Sequence, residues 1–501
     1  MESLKEKTAK GLFWGGMSVG MQQLLGLLFG IIFGRLLSPS EYGMVAMISV
    51  FSLVANELQN SGFKSALVNI KQPEHRHYNA VFWFNIFMGL LLYLLLFACA
   101  PLIADFYHEP QLIPLCRYAF LGFVFSGWGT AQQAYLFKNL RAKQQAKASL
   151  TATVISSTIG VVMAWQGCSY WALATQTNLF ILINTLLSWH YSPWRPGRPA
   201  DFTPIRDMIG YSYKLVVSTV LNALNTNILN ILLGKFYGGR AAGSYNQAYQ
   251  WHTKAYYVLQ GMVQQVSQPV MVGVGDDAER RLRVLRKLIR FTAFFSFPLL
   301  LGFAIVSEEF ILITIKEQWI ESAYLLRILC VSGAFMPLVT VISNTLLSRG
   351  RSDLYLYCNA AMAGVQIVMM VMLYPFGIRT MVLAYCVISI AYTFVWQLLS
   401  QHIVGYKLWL FLKDIMPFFL AAAATMLLTH VLTGQIVEYI FPINSGQLHH
   451  QTTVLSYPYA ALWVLLISRM LLSASLYFII MKVCRVKILD ECISYFRRRK
   501  G

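Results

Sequence analysis

Four charged side chains stand out because they lie within apolar segments of the chain. Arg117, Lys254 and Arg327 are cationic, and Glu57 is acidic. A charge at membrane depth is costly, so an ionisable residue in such a segment is a functional candidate by default. A guanidinium group pairs with phosphate through two hydrogen bonds, and a buried ammonium group attracts anions. The three cations therefore predict binding of a phosphate-bearing substrate, and Glu57 predicts a site for a coupling ion.

Each of these charges also has a plainer interpretation, which the sequence leaves open. Arg117 and Arg327 lie near the outer ends of their segments, where a long side chain can reach the membrane interface. Lys254 can reach the interface in the same way, or it can form a salt bridge with Glu57. Glu57 lies toward the cytoplasmic end of its own segment, where water can solvate the carboxylate.

Amide and aromatic side chains crowd two consecutive apolar segments between Tyr211 and Met271. An unpaired amide in hydrocarbon costs several kcal/mol, so such groups must face other protein or a water-filled cavity. We interpret that cavity as the functional site. Besides the three cations, the predicted substrate-binding residues are Asn222, Asn225, Gln250 and Tyr257.

The composition indicates the elements that must position these residues. The 501 residues are 57% hydrophobic and only 12% charged, with a mean hydropathy of +0.55. One membrane span needs about 20 mostly apolar residues, and the chain offers fourteen such segments. The sequence therefore predicts an all-α polytopic membrane protein with about 14 transmembrane helices.

The distribution of charge predicts how these helices are oriented. A formal net charge of +19 would suggest nucleic-acid binding in a soluble protein. Here most Lys and Arg residues fall between alternate spans, as at Lys138–Lys147, Arg280–Arg290 and Arg497–Lys500. Because cytoplasmic loops carry the excess of basic residues, both termini are predicted to be cytoplasmic. We expect no nucleic-acid partner.

An internal repeat divides the chain into two parts. Gly34, Arg35 and Gly43 recur 200 positions later as Gly234, Lys235 and Gly243. A second set recurs at an offset of 210, and pairs Arg117, Phe125, Thr130 and Arg141 with Arg327, Phe335, Thr340 and Arg351. These two matches predict two pseudo-symmetric lobes.

A segment rich in proline and arginine marks the boundary between the predicted lobes. Residues 193–207 contain Pro193, Pro196, Pro199 and Pro204, and proline density at this level is typical of a linker. We therefore predict an N-terminal lobe at 1–192, a cytoplasmic linker at 193–207 and a C-terminal lobe at 208–405. Each lobe has six spans, which is an even number, so the second lobe enters the membrane in the same orientation as the first. The two repeats are therefore parallel. Residues 406–501 add two spans and a basic tail. These two spans can line a groove for a lipid tail or simply pack on the second lobe.

The sequence gives no support for hydrolytic or nucleotide chemistry. It contains no G-x-x-x-x-G-K-[ST] or H-E-x-x-H pattern, and its G-x-S-x-G match at Gly16–Gly20 lies within the first apolar segment instead of at a strand-to-helix turn. The eight cysteines are scattered without a C-x-x-C pair, which supports neither a disulfide framework nor a metal site. We predict that the protein is not an enzyme and needs no cofactor or metal.

Several segments resemble the polysaccharide transporter family of the multidrug/oligosaccharidyl-lipid/polysaccharide exporter superfamily. They are GRLLSPSEYGMVAM (34–47), NSGFKSALV (60–68), IADFYHEPQLIPLCRYAF (103–120), GSYNQAY (243–249) and KEQWIESAYLLRIL (316–329). In particular, these segments look like those of the flippases that serve lipopolysaccharide, capsule or exopolysaccharide synthesis. The likeness covers most of the chain and is weakest after about residue 405.

The resemblance implies a V-shaped pair of six-helix lobes with two extra helices in the inner membrane of a bacterium. It implies transfer of undecaprenyl-pyrophosphate-linked sugar repeat units from the inner to the outer leaflet by alternating access. The implied partners are the lipid-linked oligosaccharide, membrane lipids, a proton or sodium gradient, and the polysaccharide polymerase and export machinery. The resemblance assigns no role to Glu57, Arg117, Lys254 or Arg327 individually.

Two other functions are compatible with a polytopic membrane protein. A drug or cation antiporter of the same superfamily would have twelve spans and acidic residues in its cavity, whereas these spans carry mainly bases. A membrane-embedded polysaccharide polymerase or ligase would be expected to present a long outer catalytic loop. The longest outer loop predicted here, at about 434–455, is short and contains no Lys or Arg.

Overall fold

The computed structural model describes residues 4–60, 67, 70, 73–198, 202–274, 277–348, 351–440, 458–486 and 488–489. Within these ranges every regular element is a helix. The chain forms two compact units, Met1–Gly243 and Ser244–Gly501. The division into lobes at 193–207 stays a prediction.

The described residues before the predicted boundary between lobes form the helices α1 to α8. They are α1 (Leu4–Leu36), α2 (Pro39–Asn60), α3 (His75–Tyr107), α4 (Leu112–Ala119), α5 (Gly122–Gly127), α6 (Thr130–Lys138), α7 (Ala142–Trp165) and α8 (Trp171–Tyr191). The next helical segment, α9 (Thr203–Gly273), contains a break at Gly238. It begins inside the predicted linker, so the last residues of that linker are helical.

The described residues of the second unit also form the helices α10 to α17. They are α10 (Ala278–Ile305), α11 (Ser307–Ile315), α12 (Ile320–Gly333), α13 (Met336–Leu347), α14 (Ser352–Leu373), α15 (Ile378–Val404), α16 (Leu408–Ile440) and α17 (Tyr459–Val483). Short 3-10 turns at Glu317–Trp319 and Tyr374–Phe376 connect α11 to α12 and α14 to α15.

The length and composition of these helices confirm a polytopic membrane protein. In the part of the chain that the structure describes, nine helical stretches are long and apolar enough to cross a bilayer. A tenth is added if the bent stretch from Leu112 to Lys138 counts as one span. The total of fourteen spans stays a prediction.

The first unit has a core formed where α2, α3 and α4 meet. Met47, Ala100, Leu112 and Leu115 are fully buried there. The proline-rich segment that follows α8 is fastened to the base of α3. The Asn79 side chain donates to the Arg198 carbonyl oxygen at 2.8 Å and accepts from the Gly197 amide at 2.9 Å. These bonds satisfy backbone groups that have no helical partner.

The break in α9 falls where the internal repeat predicts a turn. Gly238 has φ +77° and ψ −173°, a conformation that glycine adopts more readily than any other residue. At an offset of 200 it corresponds to Ser38, which lies between α1 and α2. The duplicated sequence therefore gives an interruption of the helix in both copies.

The two helices at the end of the chain belong to the second unit. α16 packs along α10 and against α17, and α17 also packs against α11. The core of this unit is built around α10, which contacts α12, α13 and α16. Of the two roles predicted for these helices, packing on the second unit is therefore observed, and the lipid-tail groove stays a prediction.

Candidate functional site

One face of α9 carries uncovered polar side chains in the second unit. Gln250, Lys254, Tyr257 and Gln264 are spaced by four, three and seven residues, which places them along one side of a helix. Gln250, Tyr257 and Gln264 are exposed and Lys254 is half-buried. The Gln250 amide donates to Asn246 Oδ1 at 2.7 Å, so this face keeps part of its hydrogen bonding within the helix. We name Gln250, Lys254, Tyr257 and Gln264 the polar face.

Lys254 is held against an aromatic ring on its own helix. Its Nζ lies 4.2 Å from the centre of the Trp251 ring, within the range of a cation–π interaction. Trp251 is buried and packs edge-on against Phe310 at 4.9 Å between ring centres. Among the described residues of its unit, no carboxylate forms an ion pair with Lys254. The ammonium charge is therefore positioned by protein but not neutralised there.

A row of rings lies on the buried side of the same helix. The rings of Tyr245 and Tyr249 stack with 5.8 Å between their centres, and those of His252 and Tyr256 stack with 6.0 Å between theirs. The centres of the Tyr249 and His252 rings are 6.2 Å apart. His252 rests directly on Gly333 of α12, where a β-carbon would collide with the imidazole. His252 is not among the site residues predicted from the sequence. Its spacing from Tyr245, Tyr249 and Tyr256 along a helix was the available signal.

Four asparagines lie in the first half of α9, and the structure describes the side chains of two of them. The side chains of Asn222 and Asn225, both predicted substrate ligands, lie outside the described residues. Asn227 donates to the Ala223 carbonyl oxygen at 2.9 Å, and Asn230 is buried and donates to the Ala46 oxygen of α2 at 3.3 Å. These two amides therefore pair with protein backbone.

Arg117 lies on α4 with its guanidinium over an aromatic ring. Its Cζ is 4.4 Å from the centre of the Phe97 ring of α3. The side chain is half-buried, and its Nε makes no hydrogen bond within the described part of the chain. Arg117 thus retains donors that protein groups do not occupy.

Arg327, the counterpart of Arg117 in the repeat, has a different partner. Its Nη2 lies 2.9 Å from Glu308 Oε1 on α11. The Arg327 side chain is 37% exposed and that of Glu308 is 11% exposed, so the pair lies at the edge of the packed unit. The charge of Arg327 is therefore partly neutralised, whereas that of Arg117 is not. A shared phosphate-binding role for the two arginines stays a prediction.

Glu57 lies on α2 and is half-buried. Among the described residues its carboxylate makes no hydrogen bond or ion pair, whereas the neighbouring Gln59 is buried and donates to the Phe123 carbonyl oxygen at 2.8 Å. An unpartnered carboxylate retains both oxygens for a cation or a proton. A role for Glu57 in ion coupling stays a prediction.

A buried charge pair joins α17 to α11 within the second unit. Arg469 of α17 forms an ion pair with Glu309 of α11, and both side chains are almost fully buried. Arg469 also donates to Thr433 Oγ1 at 3.1 Å and to the Ile305 carbonyl oxygen at 3.0 Å. The sequence signals for this pair were an arginine in the middle of a span and two adjacent acids, Glu308 and Glu309, within an apolar stretch.

Comparison with known proteins identifies the family. A family model described as polysaccharide biosynthesis protein matches residues 32–324, which is more than half of the chain. The chain belongs to the polysaccharide biosynthesis protein family. This match confirms the resemblance noted in the sequence, and the matched region contains the whole of α9 with all four residues of its polar face.

Three curated proteins of polysaccharide biosynthesis match this chain over more than half of their own length. The lipopolysaccharide biosynthesis protein WzxC of Escherichia coli K12 is 26% identical over 70% of this chain and 72% of its own. The teichuronic acid biosynthesis protein TuaB of Bacillus subtilis 168 is 26% identical over 85% of this chain and 88% of its own. The succinoglycan biosynthesis transport protein ExoT of Rhizobium meliloti 1021 is 24% identical over 62% of this chain and 63% of its own.

Solved structures show which fold this member of the family adopts. The lipid II flippase MurJ in an inward closed conformation superposes with a TM-score of 0.68 at 12% identity, and covers 94% of this chain and 99% of its own. An inward-facing multidrug resistance transporter of the MOP superfamily superposes with a TM-score of 0.60 at 15% identity, over 77% of this chain and 94% of its own. Both likenesses show that the chain shares the fold of these two proteins.

Proposed function

We propose that this protein is a flippase that moves undecaprenyl-pyrophosphate-linked oligosaccharide repeat units from the inner to the outer leaflet of the bacterial inner membrane. The product then feeds synthesis of lipopolysaccharide, capsule or exopolysaccharide. Membership of the polysaccharide biosynthesis protein family supports this proposal, as do the names of WzxC and ExoT. The fold shared with a lipid II flippase agrees with it.

The polar face of α9 is the observation that carries the proposal. It presents amide, ammonium and phenol groups on a segment that continues an apolar helix. In hydrocarbon such groups would each remain unsatisfied at a cost of several kcal/mol, so this face must border water or substrate. A path along it suits a polar headgroup whose lipid tail stays in the bilayer.

The charges available in the two units suit the pyrophosphate group. A pyrophosphate does not cross about 30 Å of hydrocarbon without partners that replace its water. Lys254 offers an ammonium group that no carboxylate among the described residues of its unit neutralises, and Arg117 offers guanidinium donors without a partner in the described part of its own unit. We propose each of these residues as a phosphate ligand on the transport path, and Arg327 as a further one if the substrate displaces it from Glu308.

The sugar residues of the substrate need a different set of contacts. Tyr257 is 58% exposed and Gln250 is also exposed, one helical turn on either side of Lys254. Aromatic faces stack on the apolar sides of sugar rings, and amides hydrogen-bond to hydroxyl groups. Asn222 and Asn225, on the preceding part of α9, complete the proposed sugar-binding set.

The remaining parts of the proposal concern topology and coupling. Two six-span lobes at 1–192 and 208–405 alternate between inward and outward access, and the two added spans raise the total to fourteen. Both termini are cytoplasmic because the basic segments are concentrated on that side. Glu57 binds the coupling proton or sodium ion, and the exported unit passes to a polysaccharide polymerase.

Leaflet transfer in a defined system tests the proposed function. The purified full-length protein is placed in vesicles with a fluorescent undecaprenyl-pyrophosphate oligosaccharide, and the fraction in the outer leaflet is followed with and without proton or sodium gradients. We expect transfer that depends on the protein and accelerates with one of the gradients. Transfer no faster than in protein-free vesicles, for every lipid-linked oligosaccharide supplied, would contradict the proposal.

A further inference from the structure

The second unit contains a cavity remote in sequence from the polar face of α9. It has a volume of about 330 Å³, at the lower end of the range for small-molecule pockets. Three segments meet around it: the early turns of α10 and α16, and the end of α17 with the residues just after it. All three adjoin segments predicted to be cytoplasmic. The lining residues used below are Arg290, Lys413, Phe418, Ala421, Met481 and Ile488.

The polar rim of this cavity is organised around Asp414. The carboxylate is almost fully buried and accepts from Arg286 Nε at 2.7 Å, Arg286 Nη2 at 2.9 Å and Arg290 Nε at 2.6 Å. The Tyr406 hydroxyl donates to the same carboxylate at 3.0 Å. Burial, together with the nearby carboxylate, raises the pKa of Tyr406, so this donor stays protonated. The two arginine side chains are therefore fixed in place.

Among the described residues, the rim carries more positive than negative charge. Arg286 and Arg290 share the Asp414 carboxylate, and Lys413 adds a third cation. Within the described residues the Lys413 ammonium has no carboxylate partner, and its side chain is exposed. A cationic rim in this position attracts an anion from its surroundings.

The rest of the cavity wall is apolar. Phe418, Met481 and Ile488 are buried side chains that line it, and Ala421 leaves open space between them. A free phosphate ion would leave this wall in contact with water. A ligand with an anionic head and a hydrocarbon chain satisfies the rim and the wall together.

From this geometry we infer that the cavity binds one anionic glycerophospholipid of the inner leaflet, with its phosphate on Arg290 and Lys413 and an acyl chain against Phe418, Ala421 and Met481. The lipid fastens the ends of α10, α16 and α17 to one another. None of the residues that line this cavity is one that we assign to substrate binding, and the inference does not depend on which substrate the protein moves.

Native mass spectrometry of the full-length protein measures this binding directly. The protein, purified in a neutral detergent, is titrated with phosphatidylglycerol or with phosphatidylcholine that carries the same acyl chains. We expect one phosphatidylglycerol to bind more tightly than any phosphatidylcholine. Removing one cation near a membrane surface should weaken binding about fivefold, so this is the effect expected for Lys413→Gln.

Matched variants separate the site from general electrostatics. Lys482 is exposed on the last turn of α17 but does not line the cavity, so Lys482→Gln should change the affinity less than about twofold. Ala421→Phe fills the cavity without a change of charge and should abolish tight binding. Ala424→Phe, on an exposed face of the same helix, should have no effect.

Three outcomes would overturn the inference. They are equal affinity for the two phospholipids, equal effects of Lys413→Gln and Lys482→Gln, and retention of tight binding in Ala421→Phe. Displacement of phosphatidylglycerol by a lower concentration of undecaprenyl pyrophosphate would also overturn it, because the cavity would then be a site for the transported lipid. Failure of leaflet transfer alone would leave this binding result unchanged.

Discussion

Gly43 and Gly239 face each other so closely that the Gly239 carbonyl group occupies the space of a β-carbon at residue 43. Gly243 faces the carbonyl oxygen of Pro39 in the same way. At the offset of 200, residue 43 corresponds to residue 243 and residue 39 to residue 239, so the two contacts are equivalent in the internal repeat. The duplicated turns therefore cross each other with pseudo-symmetry. Both contacts lie within Met1–Gly243. Glycine is required at residues 43 and 243 because backbone meets backbone.

Gly43→Ala is expected to destabilise the protein by about 1–3 kcal/mol, the usual cost of forcing an extra carbon into a packed contact. Thermal unfolding of the purified protein in detergent provides the measurement. Gly26→Ala in α1 is the matched control, since a β-carbon there meets nothing within 4 Å. Equal melting temperatures for the two variants would show that the crossing tolerates a side chain.

Lys254→Ala is expected to slow leaflet transfer by roughly ten- to a hundredfold while the protein still inserts and folds. The reason is that a hydrogen bond to a charged group contributes about 1.5–3 kcal/mol, and the substrate would lose its ammonium partner. Initial transfer rates in vesicles measure the effect. Lys143→Ala is a suitable control because Lys143 also lies over a ring, that of Trp14, at 5.3 Å. Unchanged transfer in Lys254→Ala would remove this residue from the path.

Arg117→Gln and Arg327→Gln test whether the repeated arginines serve one phosphate group. If both bind it, the loss of transfer in the double variant will differ from the sum of the single losses, because residues that share a partner are coupled. Rates for the four proteins of the cycle are compared on the free-energy scale. Strict additivity would favour separate roles, with Arg327 bound to Glu308 throughout.

Arg469→Met is expected to cost about 3–5 kcal/mol, since it leaves the buried Glu309 carboxylate without its cation. Adding Glu309→Gln to the same chain should recover a large part of this loss. Chemical unfolding of the purified variants measures both values. For comparison, Arg379→Met breaks an exposed pair with Glu321 and should cost no more than about 1 kcal/mol. Similar losses for Arg469→Met and Arg379→Met would contradict the buried-pair account.

The distribution of hydropathy and charge was enough to predict a helical membrane protein, and the resemblance of five segments to a known family indicated which one. Apolar segments of the required length need no knowledge of tertiary contacts, because the bilayer itself acts as the reference solvent. The repeat at an offset of 200 also predicted the turn now observed at Gly238. Local backbone preference explains this success, since glycine at that position permits the positive φ of the break.

Only the tertiary structure decided which charges are paired. Glu309 and Arg469 are 160 residues apart, and Arg286 reaches Asp414 across 128 residues, so no local pattern links them. Arg117 and Arg327 are equivalent in sequence, yet one meets the Phe97 ring and the other meets Glu308. The charge that a side chain offers to a ligand depends on its neighbours in space. Helix packing determines those neighbours, whereas the sequence determines only which residues share a helix and a face.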